Sequence, residues 1–256
     1  MTSTLVRMGA ATLDVLQEMG RMAIFLLTVA SLAFSPPFRP RNLLKQMHFI
    51  GNRSLFVIML TATFAGMVLA LQGFYTLSRF GAEAMLGPAV ALTMIRELGP
   101  VLTGLMVTAR AGSALTTELG IMRIREQLDA MKSMGINPMR YLVVPRIQAG
   151  ILVVPLLTAV FDVIGIWGGY LVSVELLGMS SGTYFGNIET KVETMDIVTS
   201  LVKGLTFGLI ITWVCTFMGY HAQRGAEGVG KATTGAVVMS SVLILVCDYF
   251  ITAAML

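Results

Sequence analysis

Long apolar runs separated by short polar segments fill most of this chain. Five runs reach the roughly 20 residues that a helix needs to cross a bilayer, and they cover residues 55–75, 86–108, 146–174, 197–220 and 234–256. This pattern predicts an all-α integral membrane protein with five transmembrane helices. The spacings Gly165-x-x-x-Gly169 and Gly204-x-x-x-Gly208 predict that the third and fourth helices pack closely.

The first 38 residues have a different pattern. Charged positions such as Asp14 and Glu18 are interspersed among apolar residues, and the purely apolar run that follows, residues 22–34, is short for a span. We therefore predict an amphipathic interfacial helix over residues 1–38, ended by Ser35-Pro36-Pro37, and a transmembrane domain over residues 39–256.

A charged segment over about residues 116–135 interrupts the apolar runs between the second and third spans. Its apolar residues recur at helical spacing and form one stripe, at Ile121, Ile124, Leu128 and Met131. The pattern predicts one helix that Gly135 and then Asn137-Pro138 end. Such a helix lies at or outside the membrane surface. It is either a solvated loop helix or a docking element, and the ordered stripe favours docking to a soluble partner.

The distribution of charge predicts the side on which each loop lies, since Lys and Arg concentrate in cytoplasmic loops. The loop after the second span and the residues that border it are basic, and they contain Arg110, Arg123, Arg125, Lys132, Arg140 and Arg146. The loop after the third span is acidic, with Glu175, Glu189, Glu193 and Asp196 against Lys191. With five spans, the N-terminus and the charged helix are cytoplasmic, and the acidic loop and the C-terminus lie outside.

Composition narrows the function classes. The chain is 55% hydrophobic and 12% charged, against about 25% charged in ordinary soluble domains. Basic residues that flank the spans account for the net charge of +4, so nucleic-acid binding is not predicted. The two histidines and two cysteines have no metal-ligand spacing, and no catalytic motif is present, so neither a metal site nor an enzyme is predicted.

Residues 225–232 nearly match the phosphate-binding loop G-x-x-x-x-G-K-[ST]. Ala232 stands where a hydroxyl must reach magnesium, and the segment follows a membrane span rather than a strand. We interpret the segment as a glycine-rich cytoplasmic turn. If an ATPase drives this protein, the ATPase is therefore another chain.

Several charged residues lie inside the predicted spans, where they are costly and usually paired or functional. Lys203 and Asp248 lie at similar depth from the outer side, which predicts an intramembrane charge pair. Asp162 lies nearer the middle of its span without an obvious partner. It is either a carboxylate hydrogen-bonded to a neighbouring helix or part of a transport path.

The segment Arg96-Glu97-Leu98-Gly99-Pro100 places two opposite charges and two helix-disturbing residues in the second span. Irregular backbone at membrane depth is tolerated where it is buried in protein or faces a water-filled cavity. We predict that the segment bends or is partly re-entrant and lines a cavity. A structural kink with a local ion pair is the alternative.

Six segments together resemble the MlaE family of bacterial lipid-transport permeases. They are GMVLALQG at 66–73, RELGPV at 96–101, ARAGSALT at 109–116, EQLDAM at 126–131, GIWGG at 165–169 and KATT at 231–234. The resemblance extends from about residue 40 to the C-terminus. In combination these motifs are highly specific.

The resemblance implies a homodimeric, non-catalytic permease subunit of an ATP-binding-cassette transporter in the bacterial inner membrane. Its substrate would be phospholipid, moved between the inner and outer membranes. The implied partners are a second copy of this chain, an ABC ATPase dimer, a hexameric MCE-domain lipid-binding protein and a STAS-domain protein. No cofactor is expected on this chain, because ATP and magnesium would bind to the ATPase.

The resemblance also implies two functional regions. An outward-facing lipid cavity at the dimer interface would have an apolar wall and a charged border, formed by Leu69, Leu71, Phe74, Tyr75, Leu77, Phe80, Arg96 and Glu97. A coupling helix in the ATPase cleft would present Glu118, Arg123, Arg125, Glu126, Gln127, Asp129, Met131 and Lys132.

Two other functions are compatible with the residues. A gradient-driven secondary transporter would use Asp162, Lys203 and Asp248 as a proton or ion relay. It would work without ATP and without a partner, which separates it from the lipid permease. A membrane scaffold for partner proteins would have no translocation path, and lipid crosslinking to Tyr75 or Phe80 would argue against it.

Overall fold

The structure is a computed structural model that describes residues 2–33 and 40–255, with side chains at residue 13 and from residue 16 onward. The regular elements in these ranges are all helical, which confirms the all-α class. The α-helices are α1 (Thr2–Ala33), α2 (Pro40–Ser78), α3 (Leu86–Thr93), α4 (Gly99–Val107), α5 (Ser113–Ile124), α6 (Gln127–Ser133), α7 (Val144–Tyr170), α8 (Ser181–Lys191), α9 (Thr194–Tyr220) and α10 (Ala226–Met255). The predicted helix break at Ser35-Pro36-Pro37 lies outside the described residues.

Short π-helical turns join several of these helices into longer runs. Met94–Leu98 connects α3 to α4, and Thr108–Gly112 connects α4 to α5. Two further turns, Met139–Val143 and Leu171–Leu176, extend α7 at its two ends. π turns widen a helix locally and often occur at functional sites.

Six helical stretches in residues 2–33 and 40–255 are long and apolar enough to cross a membrane, judged by length and composition. They are Leu16–Ala33, Pro40–Ser78, Glu83–Ile124, Met139–Leu176, Thr194–Tyr220 and Ala226–Met255. Five correspond to the predicted spans, and the additional one lies in the helix predicted to be interfacial. The prediction counted only the uncharged run from residue 22, whereas the candidate span within α1 also includes residues 16–21 and so reaches 18 residues. The interfacial location of α1 stays a prediction.

One face of α1 packs against the rest of the bundle. Met22, Phe25 and Val29 are buried at helical spacing. The Trp213 indole on α9 donates a 3.1 Å hydrogen bond to the Met22 carbonyl, and the Phe25 ring meets Phe217 edge-on at 5.5 Å. Ile24 and Leu27 on the opposite face are exposed, so residues 16–33 of α1 pack against the bundle along one side.

The charged segment between the second and third spans is two helices, so the prediction of one continuous helix over residues 116–135 is wrong. α5 ends at Ile124, and α6 begins at Gln127. Between them Glu126 has a φ of 56°, in the left-handed region that residues other than glycine rarely adopt. This residue breaks the helical path, so the predicted apolar stripe is divided: Leu128 is fully buried, whereas Ile121 is 41% exposed.

The predicted end of this segment is confirmed. Gly135 has φ of 74° and its N–H donates to the Lys132 carbonyl at 2.9 Å. The Ile136 N–H donates to the Met131 carbonyl, also at 2.9 Å. This pair of bonds around a left-handed glycine is a Schellman cap, which satisfies carbonyls that the end of α6 leaves open.

Helix α7 lies at the centre of the bundle, with α2 on one side and α9 on the other. A Cβ atom at Gly66 of α2 would overlap the Gly165 carbonyl oxygen, and one at Gly208 of α9 would overlap the Gly150 carbonyl oxygen. A Cβ at Gly204 would meet Pro155 at 2.9 Å. The predicted close packing of the third and fourth spans is therefore present, while Gly165 serves the contact with the first span.

The acidic loop after the third span contains α8, which is anchored to the end of the bundle. Tyr184 is fully buried, and its hydroxyl donates a 3.1 Å hydrogen bond to the Ile166 carbonyl of α7. Burial raises the pKa of the Tyr184 phenol well above its usual range. The side chain therefore stays neutral, and it holds α8 over this end of α7.

Candidate functional site

Pro100 shapes the backbone of the second span. Because proline has no N–H, the carbonyl of Arg96 four residues earlier loses its usual helical donor. That carbonyl accepts a 2.7 Å hydrogen bond from Lys203 Nζ on α9 instead. The Gly99 N–H donates to the Met94 carbonyl in the π turn that precedes Pro100. The helix thus runs through this segment with a local widening, and the partly re-entrant path is not seen in this part of the described chain.

Lys203 is the centre of a buried cluster of charges. It is fully buried, and its Nζ lies 2.9 Å from Glu97 Oε2 and 2.8 Å from Asp248 Oδ1. Thr252 donates a 3.2 Å hydrogen bond to the other Glu97 oxygen. The structure therefore places the predicted pair of Lys203 and Asp248 in contact, and it adds Glu97 as a second carboxylate on the same ammonium group.

Arg96 pairs with a different residue of α9. Its Nε donates a 2.6 Å hydrogen bond to Asp196 Oδ1 at the start of α9. The other Asp196 oxygen accepts the Glu193 N–H at 2.9 Å, as part of a capping box. Arg96 and Glu97 are adjacent in sequence but pair with separate partners on α9 and α10, so the alternative of a local ion pair between them is wrong. Sequence reasoning missed Asp196, although Glu193-x-x-Asp196 before an apolar run is a capping signal.

A cavity of about 460 Å³ opens beside these charges. It is lined by Leu92, Thr93, Arg96, Glu97, Glu193, Met195, Asp196, Thr199, Thr252 and Met255. Arg96 and Glu97 lie in the wall of a cavity, as predicted for this segment. The lining combines one cation and three carboxylates with apolar and hydroxyl groups, which suits a ligand that has both a charged and an apolar part.

A second, mostly apolar cavity of about 310 Å³ lies between α2 and α3. Its lining includes Leu69 and Leu77, two of the predicted wall residues, and Thr93, which also lines the charged cavity. Leu71, Phe74, Tyr75 and Phe80 line neither cavity. Tyr75 and Phe80 are 62% and 80% exposed on the described chain, so they belong to an outer apolar surface.

Asp162 lies beside the π turn of the second span. It is 7% exposed, and one carboxylate oxygen accepts a 3.1 Å hydrogen bond from Ser200 on α9. Its other oxygen has no hydrogen-bond partner among the described residues. That oxygen occupies the space which a Cβ atom at Gly99 would need. The geometry therefore matches the hydrogen-bonded reading of Asp162, with glycine required at its neighbour.

Five of the eight predicted coupling residues form ion pairs. Glu118 on α5 pairs with Arg146 of α7 at 2.9 Å. Asp129 lies 3.4 Å from Arg123 and 3.3 Å from Lys132, and Glu126 lies 3.6 Å from Arg224. Arg125 and Gln127 are exposed, and Met131 is half-buried. These residues form one charged surface around the α5–α6 turn, with both signs present.

The phosphate-loop-like segment lies at the beginning of α10. Gly225 has φ of 97° and precedes the helix, and Lys231 pairs with Glu227 at 2.8 Å one turn earlier. The lysine is thus within α10 and is already paired. The segment is a helix beginning rather than a strand-to-helix loop. In the described residues no group of His, Cys, Asp or Glu is arranged to hold a metal ion.

Comparison with known protein families identifies the family of this chain. Residues 43–254 match the family described as Permease MlaE. The chain belongs to the MlaE permease family. This confirms the resemblance carried by the sequence motifs, and in this MlaE-family permease the RELGPV motif supplies both Arg96 and Glu97 of the charged cavity.

Relatives of this MlaE-family permease cover nearly its whole length. It is 43% identical to a probable ABC transporter permease protein of Rickettsia bellii. The aligned 244 residues cover 95% of this chain and 94% of the Rickettsia protein. It is 40% identical to the intermembrane phospholipid transport system permease protein MlaE of Haemophilus influenzae, over 97% and 95% of the two chains. A probable ABC transporter permease protein of Synechocystis is 36% identical over 83% and 81%.

Proposed function

We propose that this chain is the permease subunit of an ATP-binding-cassette transporter that moves phospholipid between the inner and outer membranes. One observation carries the proposal: a charged cavity and an apolar cavity share Thr93, so an amphiphile can place its head group and its acyl chains in adjoining spaces. The name of the Haemophilus influenzae relative, an intermembrane phospholipid transport system permease protein, supports the same substrate class.

The linings of the two cavities suggest which residues would contact each part of the lipid. Arg96 and Glu97 border the head-group region, and Leu69 and Leu77 form part of the apolar wall. In a homodimer a second copy would cover the exposed side chains of Leu71, Tyr75 and Phe80, with Phe74 behind them, and would complete the lipid cavity. An exposed apolar surface of this kind suits either lipid or a second copy.

Energy would come from a separate ABC ATPase dimer that binds ATP and magnesium. The charged surface around the α5–α6 turn would contact the ATPase through Glu118, Arg123, Arg125, Glu126, Gln127, Asp129, Met131 and Lys132. A hexameric MCE-domain protein would receive or deliver lipid on the opposite side, and a STAS-domain protein would accompany the ATPase. This chain itself is non-catalytic and binds no cofactor.

The orientation in the membrane belongs to the same proposal. α1 lies along the cytoplasmic side of the inner membrane, five helices cross it, and the C-terminus is periplasmic. The basic residues around the α5–α6 turn support a cytoplasmic location for that turn. The acidic loop that contains α8 then faces the periplasm.

Affinity purification of the tagged chain from its native membrane tests the function. We expect an ABC ATPase, an MCE-domain protein and bound phospholipid to be recovered with it. Recovery of the chain without an ATPase under gentle extraction would contradict the proposal. It would favour the gradient-driven transporter, in which Asp162, Lys203 and Asp248 form an ion relay.

A further inference from the structure

Three consecutive residues of α5 each contact a different helix. Thr116 donates a 3.0 Å hydrogen bond to the Cys215 carbonyl on α9, and the Thr117 hydroxyl lies 3.1 Å from that of Thr233 on α10. Glu118 lies 2.9 Å from Arg146 on α7. Successive residues of a helix point about 100° apart, so α5 is held on three sides about two turns before the α5–α6 turn.

The contact with α7 differs from the other two in how easily it can be released. Thr116 and Thr117 also hydrogen-bond to carbonyls of their own helix, at Gly112 and Ser113. Their hydroxyls therefore keep a partner if α5 moves away from α9 or α10. The loss of either interhelical bond leaves no unpaired charge.

Arg146 has no such substitute. Its side chain is 1% exposed, and among the described residues its only ion-pair partner is Glu118. Its Nε and Nη1 atoms are buried without a hydrogen-bond partner in the described chain. Separation of Glu118 from Arg146 would leave a guanidinium group buried and uncompensated, which is far more costly than the loss of a neutral hydrogen bond. A displacement of α5 must therefore carry the first turn of α7 with it.

We propose that the Glu118–Arg146 ion pair is the link through which movement of the α5–α6 turn reaches α7, and that both are positioning residues for transport. Helix α7 contacts both α2 and α9, and it carries Asp162 against the π turn beside the charged cavity. A shift of its first turn is thus passed to the walls of both cavities. The inference rests on the proposed function, because it needs an ATPase at the α5–α6 turn.

The test compares lipid movement with ATP use in the complete complex. The complex, with its ATPase and MCE-domain partner, is reconstituted in vesicles of phosphatidylethanolamine and phosphatidylglycerol that carry a fluorescent phospholipid. The double variant Glu118→Gln/Arg146→Met removes both charges, which generally preserves stability where the loss of one partner does not. We expect its unfolding temperature to stay near wild type, and ATP hydrolysis is measured beside lipid movement so that any change at the ATPase contact of Glu118 is seen. The lipid moved per ATP hydrolysed should fall at least about fivefold.

Two further variants make the result specific. Thr117→Val removes the adjacent contact with α10 and should keep the wild-type ratio of lipid to ATP. Glu118→Asp keeps the charge beside Arg146 but shortens its reach, so it should lower the ratio while the complex still assembles. This variant decides the matter if the double variant does not assemble.

The outcomes separate the two proposals. Absence of ATP-dependent lipid movement in the wild-type complex would contradict the proposed function itself. A wild-type ratio in the double variant, or in Glu118→Asp if the double variant does not assemble, would overturn the ion-pair link and leave that function intact. An equal loss in Thr117→Val would overturn it too, since any disturbance of α5 would then have the same effect.

Discussion

At the scale of single residues, Lys203 shows how a membrane protein keeps a charge inside its fold. Its ammonium group forms an ion pair with Asp248 at 2.8 Å and donates hydrogen bonds to two acceptors, Glu97 and the Arg96 carbonyl. The last of these exists because Pro100 removes the normal helical donor. One side chain thus forms ion pairs with two carboxylates and supplies the hydrogen-bond donor that the neighbouring helix lacks.

Replacing this lysine should destabilise the permease. Lys203→Ala leaves Glu97 and Asp248 without their cation, at a cost of about 3 kcal/mol or more in the free energy of unfolding. The double variant Lys203→Ala/Asp248→Asn should recover part of that loss, because one of the two unpaired carboxylates is then neutral. Thermal unfolding of the purified protein in detergent measures both effects.

Lys231 provides the matched control for this prediction. It also pairs with a carboxylate, but the pair is solvent-exposed, so Lys231→Ala should change stability by less than about 1 kcal/mol. If Lys203→Ala is as stable as this control, or the double variant recovers nothing, the buried cluster does not have the role described for it.

At the scale of helices, glycine sets the distances between axes around α7. Gly66 faces Gly165 so closely that a Cβ has no room, and the same holds where Gly208 faces Gly150. In lipid the packing of helices depends on such close approach, because burial of apolar surface gives little advantage there. The position of α2 relative to α7, and thus the shape of the apolar cavity, depends on these contacts.

Gly66→Ala should therefore push α2 away from α7. Because the obstacle is backbone, relief requires movement of a whole helix, and we expect a loss of about 1–3 kcal/mol in unfolding free energy. Gly186→Ala on α8 is the control, since nothing lies within 4 Å of its Cβ position. Equal melting temperatures for the two variants would show that the bundle accommodates the methyl group.

The α5–α6 turn supports a prediction of its own. Glu126→Lys and Asp129→Lys reverse charges on an exposed surface, so the fold should persist. Asp129 lies between Arg123 and Lys132, and its reversal leaves three cations together. We expect the affinity for the ATPase to fall about tenfold or more, because like charges at an interface are strongly unfavourable. The ATPase recovered with each variant measures the change.

Glu189→Lys on α8 is the control for these two variants, because it reverses a charge on the side predicted to be periplasmic. It should leave recovery of the ATPase unchanged. Wild-type recovery and wild-type transport in both Glu126→Lys and Asp129→Lys would remove the coupling role from this turn.

At the scale of the whole molecule, the second span connects the two cavities with the α5–α6 turn. Residues near its beginning line both cavities, and the turn follows its end. The run Glu83–Ile124 contains the π turn beside the charged cavity near its beginning and α5 at its end. One long helical stretch therefore connects the proposed lipid site with the proposed ATPase contact. This arrangement suits a protein that converts a partner's motion into movement of a ligand.

Asp162→Asn distinguishes this arrangement from an ion relay. Asparagine can still accept the Ser200 hydrogen bond and cannot carry a proton. We expect ATP-dependent transport by the complex to continue and to be insensitive to dissipation of the proton gradient. Loss of transport in this variant, together with activity of the isolated chain in a gradient, would support the relay.

Much of the fold was accessible from local patterns. The apolar runs predicted the transmembrane helices because the length of a span and its lack of charge are properties of one segment. The end of the helix at Gly135 was predicted for the same reason. The break at Glu126 was not, since a non-glycine residue in the left-handed region has no signal in the spacing of apolar residues. The apolar part of α1 was judged too short for a span, because the candidate span also includes residues 16–21, two of which are charged.

The candidate site, like the fold, could be predicted only in part from the sequence. The sequence by itself determined that this is a membrane protein of the MlaE family, and it predicted that Arg96, Glu97, Lys203 and Asp248 are charges at membrane depth. Only the tertiary structure decided which of them meet: Glu97 and Asp248 share Lys203, Arg96 turns to Asp196, and Arg146 depends on Glu118. The physical reason is that pairing depends on helix rotation and on distances between axes. Contacts between segments far apart in sequence set both of these.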